Sequence, residues 1–299
     1  MEWLNYHHLL YFWTVVRRGS VSKAAEELRL SQPTVSAQVA LLEKALGERL
    51  FVRKGRDQIL TDVGRVVYHH ADEIFGLGRD LLEIVKGRPA GRAIQLTVGV
   101  ANAVPKLVVY RLLRPALQQP ETIRVVCRED DPAQLIGQLA TYALDVIIAN
   151  APAPAYLPVK VFNHLLGESD TAFFAPTPLA SKLKRRFPAS LRDVPMLLPT
   201  TDSPLRRALE EWFEAEDIRA RVVGEFEDSA LMTVVGQAAG CVFPAPAAIA
   251  KDVGRFHGVR MIGRTERVRE RYFVISAERR LKHPGVLAMT NAARDQLFS

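Results

Sequence analysis

The stretch that most limits what this chain can fold into is residues 19–43, GSVSKAAEELRLSQPTVSAQVALLE. It holds two helical segments separated by Arg29-Leu30-Ser31-Gln32-Pro33. Ser31 suits the N-cap of the second segment, and Pro33 falls in its first turn, where a missing N–H costs nothing. Within that segment Val35, Val39, Leu42 and Leu46 recur at spacings of 4, 3 and 4, so they share one face. At about 100° per residue the opposite face carries Pro33, Ser36, Ala37, Ala40 and Lys44, with Thr34 beside it and Gln32 and Gln38 on the flanks. A helix needs an apolar stripe and one cap. It has no structural use for Ser31, Gln32, Thr34, Ser36 and Gln38 together on its opening turns. A short helix, a tight turn and a second helix with a polar start are what a helix-turn-helix requires, its outer side chains entering the major groove. The ordinary alternative is a soluble helix with a serine cap.

The flanking segments favour the first reading. Leu9, Phe12, Val15 and Val16 give Tyr6 to Arg18 helical spacing, ended by Gly19, and Ser20 caps a helix from Val21 to about Leu28. After the polar helix, Leu50 to Leu60 reads as two short strands around a basic, glycine-containing turn. Such a wing sets Arg53, Lys54 and Arg56 against the sugar–phosphate backbone; a solvated hairpin is the bland counterpart. From Thr61 a long helix runs to about Lys86. Val63, Val67, His70, Ile74, Leu77, Leu81 and Ile84 fall 4, 3, 4, 3, 4 and 3 apart, a heptad seam. A partner helix from a second copy is the economical explanation, with packing on the chain's own C-terminal domain as the alternative. His70 reads as half-exposed. Gly76 and Gly78 each weaken the helix by roughly 1 kcal/mol relative to alanine, so the seam needs tertiary support.

Charge alone does not single out this head. The net charge is +7, and residues 1–90 hold 13 Lys+Arg against 11 Asp+Glu, the remainder 27 against 22. No apolar run is long enough to cross a bilayer and no signal-peptide order opens the chain, so a cytoplasmic protein without a membrane partner is expected. Cys127 and Cys241, each in an apolar run, are expected to be buried and reduced.

Beyond a hinge at Lys86-Gly87-Arg88-Pro89-Ala90-Gly91, strands and helices alternate, which predicts parallel sheets covered by helices. Strands are expected at Ile94–Val100, Ile123–Cys127 and Val146–Ala149, and helices from about Pro105 and over Ala133–Tyr142. The proline-rich 151–158 predicts a crossover into a second lobe with strands near Thr171–Ala175, Met196–Leu198, Val222–Phe226 and Val242–Phe243. Its helices are expected near Ser181–Phe187, Leu205–Glu216 and Ser229–Ala239. The chain returns by a strand at Arg269–Ser276 and ends in a helix near Val286–Phe298. Open α/β sheets bind ligands at strand carboxyl ends, often on helix N-termini. Three such places are Val100-Ala101-Asn102-Ala103, Thr200-Thr201-Asp202-Ser203-Pro204 and Glu227-Asp228-Ser229; as caps and turns they are also ordinary. The basic runs at 182–186 and 264–271 read as solvated surfaces with intervening carboxylates, a second DNA or protein contact being the alternative. No nucleophile elbow, phosphate loop, dinucleotide glycine fingerprint or metal-spaced His/Cys cluster is present, so neither catalysis nor a cofactor is expected. The adjacent pairs His7-His8 and His69-His70 diverge on a helix.

The run AAEELRLSQPTVSAQVALLEKALGERLFVRKGR, followed by LTDVG opening a long helix, resembles the LysR-type transcriptional regulators. NYHHLLYFWTVVRRGSV and the RKGR wing resemble most closely the branch that contains the activator of the sodium/proton antiporter gene. The resemblance implies a winged helix-turn-helix head (1–60), a linker helix and hinge (61–91) and a two-lobed effector domain built like a periplasmic binding protein (92–299; lobe I 92–160 and 268–299, lobe II 161–267). It implies a dimer or homotetramer on promoter DNA, with RNA polymerase a further candidate partner. Gln32, Pro33, Thr34 and Ser36 fall where that family contacts bases and nearby phosphates, and Arg53 at its wing contact. Where many members carry arginine after the serine, this chain has Ala37, which suits a thymine methyl rather than guanine. The family's effector positions map to Ala101, Asn102, Ala103, Thr201 and Ser203. Free helix N-termini favour a small anion, whereas the branch points to sodium or alkaline pH. A DNA-bound regulator with no small-molecule effector is the third reading.

Overall fold

The computed structural model describes residues 3–54, 57–85, 94–120, 123–154 and 160–298, and of residues 53, 54, 57, 58, 80, 83 and 84 the backbone alone. They divide into two units, Met1–Arg92 with Thr141–Ala143, and the remainder from Ala93 to Ser299.

The first unit is built by its caps. Helix α1 (Tyr6–Arg18) starts where the Asn5 side chain accepts the N–H groups of His7 and His8, and ends at Gly19 with φ of 73°. Ser20 accepts from Lys23 N–H to begin α2 (Val21–Leu28). Arg29, at φ of 56°, then takes the left-handed conformation that turns the chain sharply into the next helix. Ser31 accepts from Thr34 N–H to open α3 (Gln32–Leu46), which Gly47 closes. Strands β1 (Phe51–Lys54) and β2 (Asp57–Leu60) form an antiparallel hairpin with Phe51 opposite Leu60. The Thr61 hydroxyl donates to Arg49 C=O and accepts from Gly64 N–H, starting α4 (Asp62–Val85). Leu9, Phe12, Trp13, Val15, Ala24, Ala25, Val35, Val39, Leu42, Leu50 and Ala71 make the core. Gly64 is required there, because a Cβ would lie 2.1 Å from the Leu50 carbonyl oxygen.

The first half of α4 packs on its own head, which neither the partner-helix expectation nor its alternative included. Ala71 is fully buried, and Val67 and Ile74 of the heptad seam pack on the head core. Trp13 Nε1 donates to Asp72 at 2.9 Å, and the Arg17 and Arg79 guanidiniums lie 4.4 and 4.9 Å from the same indole. The second half is different: Leu77 and Leu81 are 71% and 61% exposed.

In the second unit β3 (Ile94–Ala101), α5 (Lys106–Leu117), β4 (Ile123–Asp130), α6 (Pro132–Ala140) and β5 (Val146–Ala149) follow in order. β4, β3 and β5 lie side by side and parallel. A long strand β6 (Phe162–Pro176) leads into α7 (Thr177–Leu183), then β7 (Pro195–Pro199), α8 (Pro204–Ala215), β8 (Arg221–Phe226), α9 (Ser229–Ala239), β9 (Phe243–Pro246) and α10 (Ala250–His257). The chain returns along β10 (Val259–Ser276) and finishes in α11 (Pro284–Ala292) and one π-type turn to Leu297. The large sheet runs β4-β3-β5-β10-β6-β9, and β7 pairs parallel with β8.

Two cores result. One lies around Leu96, Val98, Leu112, Leu135, Ile148 and Met289. The other is aromatic, with Phe173 stacked on Trp212 at 5.3 Å and Phe213 and Phe187 beside them. β6 and β10 pair antiparallel from Val259–Pro176 to Ser276–Phe162, so they run through both lobes. The sequence reading placed shorter strands at Thr171–Ala175 and Arg269–Ser276. The missing parts are charged or irregular: Glu168 and Asp170 lie in the unexpected start of β6, and shifts in register interrupt the unexpected start of β10 at Met261/Gly263 and Thr265/Arg269. A charged, bulged strand loses the period-two signal, while its neighbour still supplies the ladder. Helix α10 was likewise not anticipated. Cys241 is buried as expected, but Cys127 is exposed, because β4 is the edge strand of the sheet.

Candidate DNA interface and effector loops

On α3 the apolar stripe and the polar face separate as helical geometry demands. Val35, Val39 and Leu42 are buried, whereas Ser31, Gln32, Pro33, Thr34, Ser36 and Ala37 are exposed and Gln38 is half-buried. Leu46, at the helix end, is 39% exposed. The Ser31 and Thr34 hydroxyls lie 2.8 Å apart, and Gln32 Nε2 donates to Ser22 Oγ of α2 at 3.0 Å. Gln32 thus ties the two helices together, while Ser36 and Ala37 stand free on the outer face.

The hairpin is braced by a residue not singled out in the sequence. Glu43, on α3, accepts from Leu50 N–H at 2.8 Å, Phe51 N–H at 3.2 Å and Arg49 Nη1 at 3.0 Å. Its carboxylate is 11% exposed. One largely buried carboxylate therefore holds the first strand of the hairpin to α3. An acidic residue in the last turn of a helix, eight residues before a strand, carries no pattern that would reveal this. Arg53 and Lys54 lie on β1, but their side chains, and Arg56, fall outside the described residues. On the other side of the head, Glu27 of α2 pairs with both Arg18 and Arg17 of α1, and the Arg18 hydrogen bond holds its carboxyl below the usual range.

In α4, Val63 is 38% exposed, and His70 is half-exposed, its Nδ1 3.2 Å from Glu73. The Ile84 side chain falls outside the described residues.

Four of the helices that follow strand carboxyl ends in the second unit, α5, α6, α8 and α9, differ at their N-termini. Asp131 accepts the N–H groups of Ala133 and Gln134 at the start of α6, and Asp228 those of Ala230 and Leu231 at the start of α9. The Glu227-Asp228-Ser229 turn thus supplies its own anion. Neither Pro105 before α5 nor Ser203 before α8 makes a side-chain cap. Those two helices follow the loops carrying the expected effector residues. Ala101 ends β3 and is buried, Asn102 and Ala103 are exposed, and Asn102 N–H donates to Asp130 C=O at 3.2 Å. Thr201 is exposed and Ser203 half-buried. The Thr200 hydroxyl lowers the pKa of the neighbouring Asp202.

Beneath this second loop lies Arg206, 6% exposed. Its guanidinium donates to Glu210 at 2.6 Å, to Glu225 at 2.9 Å and to Pro199 C=O at 2.9 Å. Burial works against the charge, and the bonds to Glu225 and Glu210 outweigh it, leaving the pKa raised. The triad fixes the end of β7 to α8 and β8 and so sets the shape of the Thr200–Ser203 turn. Among the described residues no three His, Cys, Asp or Glu side chains gather as a metal site.

Residues 6–65 match the family described as bacterial regulatory helix-turn-helix protein, lysR family, and residues 89–298 match the LysR substrate binding domain. The chain is a LysR-type transcriptional regulator. It is 37% identical over 299 residues, 100% of this chain and 98% of the relative, to the transcriptional activator protein NhaR of Escherichia coli K12. The nitrogen assimilation regulatory protein nac of the same organism is 27% identical over 77% of this chain and 74% of its own. Among solved structures, that of CbnR, a LysR family transcriptional regulator, covers 97% of this chain and 99% of its own at a TM-score of 0.55 and 21% identity. Full-length CbnR complexed with its target DNA matches with a TM-score of 0.54 and 21% identity over 99% of this chain and 100% of that one. These likenesses carry the fold. The regulator is a DNA-binding protein of a family of transcription factors, not an enzyme. No described helix is long and apolar enough to cross a membrane.

Proposed function

We propose that the regulator acts in the cytoplasm as a dimer or tetramer on promoter DNA, divided into a reading head (1–60), a pairing helix and hinge (61–91) and a sensing domain (92–299). In this reading Ser36 and Ala37 meet base edges, Ser31, Gln32, Pro33, Thr34 and Gln38 frame that contact, and Arg53, Lys54 and Arg56 hold the sugar–phosphate backbone. The observation that carries it is the split of α3 into a buried apolar stripe and an exposed face of hydroxyls and a methyl group. The exposed Leu77, Leu81, Leu82 and Val85 supply α4 with an apolar surface for a second copy. The name of the 37% identical relative, a transcriptional activator, supports activation as the mode.

The sensing domain takes a small anion between Ala101, Asn102 and Ala103 and the Thr201–Ser203 turn. The uncapped starts of α5 and α8 support this, since free N–H groups at a helix N-terminus favour negative charge. A sodium or pH signal is the second reading, and it rests on the resemblance to the antiporter-activator branch.

Genome-wide mapping of bound sites tests the first part; interrupted palindromes with half-sites about one duplex turn or multiples apart are expected. Ser36→Ala should then lose discrimination between those sites and random DNA, and equal loss on both would assign Ser36 to positioning alone. A thermal-shift screen of anions and sodium salts at matched ionic strength tests the second part. Silence across the panel would favour a regulator without a small-molecule effector.

A further inference from the structure

The two basic runs of the sensing domain differ in structure. Along β10, Arg264 pairs with Glu266 at 3.9 Å, Arg267 with Glu216 at 3.2 Å, Arg269 with Asp170 at 3.1 Å and Arg271 with Glu168 at 2.7 Å. Each arginine of the 264–271 run has a carboxylate. Lys182, Lys184, Arg185 and Arg186 lie at the end of α7 and in the 3-10 turn Lys184–Arg186 that follows it. All four are exposed, and among the described residues none has a carboxylate within 4.0 Å. The intervening carboxylates expected for both runs are present in one and missing from the other.

The segment is firmly held. Ala180 and Leu183 are buried, and the Phe187 ring lies 5.9 Å from Phe173 and 6.1 Å from Trp212, in space that a side chain at Gly263 would fill. The inward positions are spent on the aromatic core, so every remaining side chain from 182 to 186 points outward and four of the five positions are cations. Four like charges on one rigid turn repel one another, and a polyanion relieves that repulsion.

We propose that Lys182, Lys184, Arg185 and Arg186 make a second, sequence-independent contact with the DNA sugar–phosphate backbone, additional to the head. DNA fits better than an acidic protein segment, because protein docking sites are built on buried aromatic or aliphatic anchors. Within the patch segment itself, residues 177–191, no large apolar side chain is exposed. The turn rises about 6–8 Å over five residues. Each strand presents a phosphate about every 3.4 Å of duplex axis, so two or three fall within reach of a turn lying along that axis.

The test uses the full chain with Lys182, Lys184, Arg185 and Arg186 all changed to Gln. A charge-matched control changes the exposed Lys251, Arg255, Arg260 and Arg280 to Gln. Binding to a long random-sequence duplex is followed by anisotropy across a salt series, and circular dichroism checks that both variants fold. The patch variant should show a log–log salt slope shallower by about 2 and affinity near 0.1 M salt weakened at least ~10-fold, with the control close to the parent. An unchanged slope overturns the proposal, and so does an equal loss in the control, which would reduce the effect to net charge. Poly-glutamate captured by the parent but not by the patch variant, with DNA binding unaltered, would assign the patch to an acidic protein and also overturn it. None of these results bears on the α3 contact, which the Ser36 variant tests separately.

Discussion

Glu43 is the residue whose removal should reveal how the wing is held. In Glu43→Ala the N–H groups of Leu50 and Phe51 lose their acceptor, and Leu50 is fully buried. A hydrogen bond to a charged group contributes roughly 1.5–3 kcal/mol, and a buried donor left unmade costs about 1–3 kcal/mol. Water reaches the half-buried Phe51 amide more readily than that of Leu50, so a total near 2–4 kcal/mol is expected for the local structure. A loss of about 2 kcal/mol corresponds to roughly 30-fold lower protection against opening. Hydrogen-exchange mass spectrometry of the peptide spanning residues 47–54 reads this directly in the full chain. Glu43→Gln, which keeps one acceptor oxygen, should fall between the parent and the alanine variant. DNA binding by Glu43→Ala should weaken together with its salt dependence as the wing loses its position. Protection within about twofold of the parent would mean that the β1–β2 pairing holds the wing without the carboxylate, and the reasoning would fail.

Three further perturbations follow from individual sites. Gly64→Ala places a Cβ 2.1 Å from the Leu50 carbonyl oxygen and should destabilise the head by more than about 3 kcal/mol, visible as an early transition in thermal unfolding. Burial raises the Glu270 carboxyl to about 7 against the Tyr272 hydrogen bond that opposes the shift. The folded chain therefore binds this proton more tightly than the unfolded one, and stability falls as pH rises from about 4.5 to about 7, then levels. Glu270→Gln should be more stable than the parent at pH 8 by up to about 3 kcal/mol and nearly equal to it near pH 4.5, as denaturant titrations at the two pH values will show. Ser203→Asp gives α8 the acidic cap that α6 and α9 already have. It should raise thermal stability by about 0.5–1 kcal/mol while weakening any anion that the thermal-shift screen identifies; stronger anion binding would contradict an N-terminal site.

The head was legible because its signals are local. Asn5, Ser20 and Ser31 accept hydrogen bonds from amides two or three residues away, and Gly19 and Gly47 end helices by their own backbone freedom, so Tyr6–Arg18 was readable to the residue. Ser229–Ala239 was equally clear, bounded by Asp228 and Gly240. The crossing strands were legible only in part: β6 before Thr171 and β10 before Arg269 are charged or broken by register shifts, and only their mutual pairing shows them as strands. For the effector loops, the residues were readable but not the distinction between capped α6 and α9 and uncapped α5 and α8. Pro105 cannot cap by residue type, but Ser203 is as good a cap in principle as Ser31, and only its rotamer leaves α8 uncapped.

Taken alone, the order of residues settled the helix-turn-helix, the polar outer face of α3 and the two-lobed α/β plan, because caps, periodicity and strand–helix alternation act within a few residues. Tertiary structure settled which apolar positions of α4 are consumed by the head, where the chain crosses between lobes, and which basic run keeps its charges unpaired. Those outcomes depend on side chains brought together from distant positions, such as Trp13 with Asp72 and Glu168 with Arg271, and nearest-neighbour pattern carries no record of them.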